Sequence, residues 1–209
     1  MMQVILIFLI FVLIHSVTIS KRFKHACRRL LGDTFMQVYY RALYNIISFG
    51  TAGIALYLIH RVPDQQLWFA PVWLQWPMHI FQLAGVVFGS LSFEHLDTGE
   101  FMGGKQVWRY LIRGERVGNI EGLTQKELVT TGVYGIVRHP MYLAGIIIFT
   151  INPHVTVNSL VISVLADFYF LFGALIEERR FLAIFGDPYK EYMGRVPRLF
   201  PRIWHRTKG

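Results

Sequence analysis

The chain contains four long stretches in which no Lys, Arg, Asp or Glu interrupts the apolar residues. They cover residues 1–20, 42–60, 65–93 and 139–166. The hydrocarbon core of a bilayer is about 30 Å thick and needs about 20 helical residues, so every stretch is long enough to cross it. We therefore expect membrane helices near residues 2–20, 42–60 and 74–93, the first of them retained as a helix and not removed as a signal peptide.

The fourth stretch predicts a helical hairpin. Its apolar character continues over residues 141–176, which is too long for one ordinary span, and Asn152-Pro153 is a dipeptide that favours a turn. The first arm would be short, so we expect its turn to be buried among other helices. The sequence predicts an all-α integral membrane protein with about five transmembrane helices, one of its pairs forming a hairpin.

Composition and charge agree with a membrane protein. Hydrophobic residues make up 54% of the chain and charged residues 16%, against about 25% charged in average globular proteins. An ordinary cytosolic enzyme is excluded. The single cysteine, Cys27, excludes a disulfide within the chain and a zinc site built on paired cysteines.

The basic residues predict the orientation. If the chain begins outside, 20 of its 21 Lys and Arg residues lie on the cytoplasmic side, with Arg61 as the exception. We therefore expect the amino terminus outside and the carboxyl terminus in the cytoplasm. Contact with anionic membrane lipid explains the net charge of +8, so no nucleic-acid partner is predicted.

Most of the polar chemistry lies in two cytoplasmic segments, residues 94–140 and 177–209. The first ends with Arg138-His139-Pro140-Met141-Tyr142; the second begins with Glu177-Glu178 and contains Val196-Pro197-Arg198. Together these motifs resemble the isoprenylcysteine carboxyl methyltransferase superfamily of integral membrane methyltransferases. The resemblance implies that S-adenosylmethionine binds between the last membrane hairpin and the carboxyl-terminal helix, and that the acceptor enters from the bilayer.

The amino-terminal half carries a second resemblance. His15-Ser16 and residues 40–45 are similar to NnrU-type membrane proteins, and residues 93–97 with 105–108 resemble the middle of bacterial methanethiol S-methyltransferases. These resemblances imply an NnrU-like three-helix membrane region over residues 1–93, a methyltransferase region over residues 94–209 with a cytoplasmic cofactor-binding carboxyl-terminal part, and a location in a bacterial inner membrane.

Candidate site residues follow from what S-adenosylmethionine offers: a carboxylate, an ammonium, a ribose diol and an adenine. Arg138 and His139 precede a helix start that favours an anion. Tyr134 and Tyr142 could wall the cofactor, and Gly145 would admit it closely. The predicted catalytic residues are Arg138 and Glu178, with the cofactor bound by Val133, Tyr134, His139, Tyr142, Gly145 and Glu177, and no metal.

Several residues keep two interpretations. Arg138 and His139 could be a membrane-boundary anchor, and the two glutamates a salt-bridged helix. His95 and Asp97 could help a substrate lose its proton or form a solvated pair. Asp167, inside the last span, is either functional or paired with another helix. His15 could bind haem iron, although a hydrogen bond to a neighbouring helix is the favoured interpretation.

The predicted function is a membrane-embedded S-adenosylmethionine-dependent methyltransferase that acts on a small or lipophilic acceptor bearing a thiol or a carboxylate. The alternative is an NnrU-type haem or redox-associated membrane protein without methyl transfer.

Overall fold

The computed structural model describes residues 1–94, 97–116 and 128–201, which contain nine α-helices, two short β-strands and one 3-10 turn. These residues form two compact units. The first is built from Met1–Pro63 and the described part of Leu96–Lys126, and the second from the described parts of Asp64–His95 and Glu127–Gly209. Each unit draws on both sides of residue 93, and the predicted division of the chain there stays a prediction.

The first unit is built around two apolar helices, α1 (Met2–Ile19) and α3 (Tyr40–Arg61), which pack together. Between them runs α2 (Lys21–Val38), interrupted at Gly32, where φ is 81°. Two short helices follow, α5 (Thr98–Met102) and α6 (Gly104–Arg113). The glycine that joins them, Gly103, has a φ of 87°, and a Cβ there would lie 2.4 Å from the Ala42 main-chain nitrogen. Only glycine suits both the conformation and the space.

The second unit contains α4 (Val72–Leu91), a 3-10 turn (Gly132–Gly135), α7 (Pro140–Thr150), α8 (Val157–Phe185) and α9 (Asp187–Arg195). Helix α7 packs against both α4 and α8. Glycines allow the first contact, because a Cβ on Gly85 would lie 2.9 Å from Ile147 and one on Gly89 would lie 2.8 Å from Ala144. The close approach fixes α7, whose amino-terminal end carries the Arg-His-Pro motif.

The hairpin prediction is confirmed. Helix α7 has only 11 residues and α8 has 29, with the Asn152-Pro153 turn between them. The turn also produces a feature that the all-α prediction lacks, a pair of antiparallel strands, β1 (Gln66–Phe69) and β2 (His154–Thr156). The two connecting segments pair there, so that their main-chain N–H and C=O groups find hydrogen-bond partners outside any helix.

Three helices are long and apolar enough to cross a membrane, namely α1, α3 and α8, while α7 is apolar but shorter. Helix α4 has 20 residues but includes Pro77 and the polar Gln75, His79 and Gln82, which lower its apolar character. The structure therefore confirms a predominantly helical chain with three helices that are long and apolar enough to cross a membrane. The count of five spans and the orientation stay predictions.

Candidate active site

Glu178 lies at the centre of a buried polar cluster where α8 approaches its carboxyl-terminal end. Only 3% of the residue is exposed. Its Oε1 accepts a hydrogen bond from Arg138 Nε at 2.9 Å, and its Oε2 accepts one from Arg198 Nε at 2.9 Å. One carboxylate therefore bridges two arginines, one before α7 and one after α9.

Arg138 is enclosed by this cluster. Its guanidinium makes four hydrogen bonds: Nε and Nη2 donate to Glu178, and Nη1 donates to the main-chain carbonyls of Met193 and Val196. The main chain adds two more bonds, because the amides of Arg138 and His139 donate to the carbonyls of Pro197 and Arg198 at 2.9 and 3.1 Å. These contacts fasten the segment after α9 to the start of α7.

His139 forms the amino-terminal cap of α7, and Pro140 occupies the first turn, where its missing N–H costs nothing. The His139 Nδ1 lies 3.2 Å from Glu177 Oε2, and its Nε2 lies 3.5 Å from Glu178 Oε1. In the part of the chain that the structure describes, the buried Nε2 makes no hydrogen bond. The Glu177 side chain is 37% exposed, so the two adjacent glutamates occupy different environments, as expected for neighbouring positions on a helix.

Aromatic packing surrounds the imidazole. The ring of Tyr142 stacks on His139 with centroids 5.5 Å apart and an angle of 11° between planes, and it also stacks with Phe170 at 5.9 Å. Phe170 also fills the space beside Gly145, where a Cβ would lie 2.6 Å from the phenyl ring. The small size of Gly145 is therefore required by a side chain of this protein.

The 3-10 turn holds Val133 and Tyr134. Val133 is buried, and the main-chain carbonyl of Tyr134 accepts a 2.6 Å hydrogen bond from the hydroxyl of Tyr192 on α9. Burial, more than the neighbouring Glu177 carboxylate, raises the pKa of the Tyr134 hydroxyl. This turn, α7 and the carboxyl-terminal segment are thus bound to one another.

Two residues of the cluster were not predicted from the sequence. Arg198 pairs with Glu178 and keeps 40% of its side chain exposed, and the hydrogen bond to that carboxylate raises the pKa of the Arg198 guanidinium. Tyr189 is 1% exposed, its hydroxyl has no partner within the described chain, and burial raises its pKa. The Val-Pro-Arg motif was a signal for Arg198, and Tyr189 belongs to the carboxyl-terminal stretch that carries the same resemblance, although neither was assigned to the site.

Of the predicted substrate pair, only Asp97 lies in the part of the chain that the structure describes. His95 lies outside the described residues. Asp97 belongs to the first unit, where it caps α5 by accepting a hydrogen bond from the Glu100 amide at 3.1 Å and pairs with Lys105. The hydrogen bond from Lys105 lowers the pKa of the Asp97 carboxyl. Asp97 thus has a local structural partner, and its substrate role stays a prediction.

Asp167 and His15, which the sequence placed in predicted spans and left with two interpretations, both have partners. Asp167 Oδ2 accepts a 2.8 Å hydrogen bond from the Thr150 hydroxyl, which links the arms of the hairpin. His15 Nε2 lies 3.0 Å from the Tyr44 hydroxyl, which links α1 to α3. The favoured interpretation of His15, a hydrogen bond to a neighbouring helix, is confirmed.

Relatives with methyltransferase names match this chain. A methanethiol S-methyltransferase of Crocosphaera subtropica is 28% identical over 204 residues, which are 95% of this chain and 73% of the relative. A protein of the same name from Pseudomonas deceptionensis is 38% identical over 71 residues, 34% of this chain and 27% of that relative. The protein-S-isoprenylcysteine O-methyltransferase of Schizosaccharomyces pombe is 34% identical over 80 residues, 36% of this chain and 34% of that relative.

No solved structure matches the chain. The NnrU protein family matches residues 3–183, and both resemblances inferred from the motifs, to NnrU proteins and to membrane methyltransferases, are therefore confirmed. Because this match covers far more than half of the sequence, the chain belongs to the NnrU protein family, with methanethiol S-methyltransferases among its relatives.

Proposed function

We propose that the protein is a membrane-embedded methyltransferase that uses S-adenosylmethionine and methylates a small or lipophilic acceptor bearing a thiol or a carboxylate. It would lie in a bacterial inner membrane with its amino terminus outside, its carboxyl terminus in the cytoplasm and anionic lipid around its basic residues. The methyltransferase names of its relatives support the reaction class, and the polar cluster around Glu178 supports its place in the fold.

The observation that carries the proposal is the pairing of Glu177 with His139. A half-buried carboxylate lies 3.2 Å from a buried imidazole whose Nε2 has no hydrogen-bond partner among the described residues. Buried polar atoms without partners are rare in folded proteins and need an explanation. A polar ligand at this position would satisfy the imidazole, and the exposed part of Glu177 is available to a cation.

The donor set fits S-adenosylmethionine. Glu177 would take the ammonium, the α7 amino terminus at His139 would face an anionic group, and the rings of Tyr134 and Tyr142 with Val133 would supply apolar walls. Gly145 would contribute to the same wall indirectly, because its lack of a side chain leaves room for the ring of Phe170. When bound, the cofactor would supply an electrophilic methyl group on a sulfonium for in-line displacement.

The protein's own part in such a reaction is positioning and exclusion of water. Arg138, His139 and Glu178 are each at most 8% exposed, so their relative geometry is set before any ligand arrives. We assign Arg138 and Glu178 to the reaction centre and Glu177 to the cofactor side. The acceptor would reach this centre from the bilayer, with His95 and Asp97 as candidate substrate residues.

The experiment is a calorimetric titration of purified protein in detergent with S-adenosylhomocysteine, followed by an acceptor screen with labelled S-adenosylmethionine. We expect saturable binding and methylation of at least one thiol or carboxylate. A Glu177→Gln variant should bind more weakly, and Glu191→Gln, an exposed change on α9, should bind like the wild type. Absence of binding and of transfer to every acceptor would contradict the proposed function.

A further inference from the structure

The site contains two arginines that share Glu178, and their remaining hydrogen-bonding capacity differs. A guanidinium has five N–H donors. Arg138 donates four hydrogen bonds to acceptors of its own chain, and its side chain is 7% exposed. Arg138 therefore has little capacity left for an incoming anion.

Arg198 presents the opposite arrangement. Its Nε and Nη2 both contact Glu178 Oε2, at 2.9 and 2.7 Å, so one edge of the guanidinium is paired. Within the described chain its Nη1 has no acceptor, and 40% of the side chain is exposed. An arginine with one edge fixed by a carboxylate and another edge open is oriented to receive a second planar anion.

The surroundings of Arg198 favour an anion as well. Its main-chain carbonyl accepts a hydrogen bond from the amide of His139, the residue that caps α7. Arg198 therefore lies beside the positive end of that helix. The buried His139 Nε2, which makes no hydrogen bond within the described chain and lies 3.5 Å from Glu178 Oε1, is a second polar atom at the same helix end. Glu178 neutralises one of the two arginines, and the partly exposed Glu177 carboxylate, 3.2 Å from His139 Nδ1, supplies a second negative charge, so the open edge of Arg198 and the helix end, not a net positive charge, favour the anion.

We propose that Arg198 is the anion-binding residue of this site and that its open edge holds a ligand carboxylate. The proposal rests on the proposed function, because two ligands of a methyltransferase could supply that group: the amino-acid end of the methyl donor, or an acceptor that is itself a carboxylate. Arg138, in this arrangement, positions Glu178 and joins α7 to the carboxyl-terminal segment.

The test compares ligands with and without the carboxylate. Affinities of wild type, Arg198→Gln and Arg198→Lys for S-adenosylhomocysteine and for 5′-methylthioadenosine, which lacks the amino-acid end, are measured by calorimetry in detergent. If the donor supplies the carboxylate, Arg198→Gln weakens S-adenosylhomocysteine binding by roughly 10-fold to 100-fold and leaves methylthioadenosine within a few-fold. Lysine, which keeps the charge without the fork, gives an intermediate loss.

The second arm concerns the acceptor. If the acceptor supplies the carboxylate, Arg198→Gln leaves both affinities unchanged but raises KM for carboxylate acceptors at least tenfold relative to thiol acceptors. Arg195→Gln removes an exposed arginine at the end of α9 and serves as the control for charge alone.

Three results would overturn the assignment of Arg198. The first is an equal loss of affinity for both nucleosides in Arg198→Gln, which would make the residue structural. The second is no change in either the nucleoside affinities or the acceptor KM values. The third is an effect of the same size in Arg195→Gln. Retained methylthioadenosine binding shows that a variant is folded. Wild-type protein that binds neither nucleoside would remove the proposed function itself, and the assignment of Arg198 with it.

Discussion

Arg138 and Glu178 form a buried ion pair between residues 40 positions apart in the sequence. The arginine precedes α7 and the glutamate lies near the end of α8, so the pair closes the hairpin at the end opposite its Asn-Pro turn. The same carboxylate also holds Arg198. Glu178 on α8 therefore links the segment before α7 to the segment after α9. Glu177 beside it remains partly exposed.

The first prediction is that Glu178→Gln lowers both stability and turnover, whereas Glu177→Gln mainly lowers affinity for the cofactor. Removing the charge of Glu178 leaves Arg138 buried without a counter-ion, a change that typically costs about 3 to 5 kcal/mol. The expected result for Glu178→Gln is a marked fall in thermal stability in detergent together with loss of turnover.

Glu177→Gln is the matched comparison. Because its side chain is 37% exposed, the pair with His139 is expected to contribute no more than about 1 kcal/mol. Stability should stay near that of the wild type while affinity for S-adenosylhomocysteine falls. Equal losses of stability and of affinity in the two variants would show that this division of roles is wrong.

The second prediction concerns Gly145. Alanine there would place a methyl group 2.6 Å from the Phe170 ring, and overpacking of this kind costs about 1 to 3 kcal/mol. Gly145→Ala should lower the unfolding temperature, and Phe170→Leu in the same chain should restore part of it. Gly194→Ala, on α9 with nothing within 4 Å of the added carbon, is the control and should be neutral or slightly stabilising. Unchanged stability with weaker cofactor binding would instead place Gly145 at the cofactor.

The hairpin and the meeting of two distant motifs could be predicted from the sequence, whereas the contacts between them could not. Asn152-Pro153 marks the turn locally, and the apolar runs mark the helices. The partner of Asp167 depends on the register between α7 and α8, which brings Thr150 within 2.8 Å. The saturation of Arg138 depends on two main-chain carbonyls near the end of α9, and main-chain acceptors carry no sequence signal. The two strands formed where two loops met, so neither loop alone predicted them.

The third prediction is a pH dependence. Burial is the main cause that raises the pKa of the Tyr192 hydroxyl, so the folded protein favours the neutral phenol. That contribution is fully present below the unfolded pKa of about 10 and is lost as the pH rises above it. The unfolding temperature in detergent should therefore fall more steeply above about pH 10 in the wild type than in Tyr192→Phe, which cannot ionise.

At neutral pH the same Tyr192→Phe change should cost about 1 kcal/mol, because the main-chain carbonyl of Tyr134 loses its donor. The comparison therefore has two parts, a lower stability near pH 7 and a shallower slope in alkali. Parallel curves for wild type and variant across the whole range would contradict the assignment of this tyrosine.

The fourth prediction separates methyl transfer from haem binding. The Nε2 and Nδ1 of His15 lie 3.0 and 3.4 Å from the Tyr44 hydroxyl, and an iron ligand needs a ring nitrogen free of such a contact. Purified protein mixed with haem should show no Soret shift that depends on His15, and His15→Gln should leave S-adenosylhomocysteine affinity unchanged. A Soret band lost in His15→Gln, in protein without affinity for the nucleoside, would favour the haem-associated alternative.

The last prediction is the orientation, which follows from the asymmetry of the basic residues. Cys27 is the only cysteine of the chain, so a Cys27→Ser background allows single reporters to be placed. Gln65→Cys lies in the exposed segment before β1, and Arg195→Cys lies at the exposed end of α9. A maleimide that cannot cross the inner membrane should label position 65 in intact spheroplasts and position 195 only after the membrane is opened. The reverse pattern would put the Glu178 cluster outside, away from cytosolic S-adenosylmethionine, and would contradict both the orientation and the proposed supply of the methyl donor.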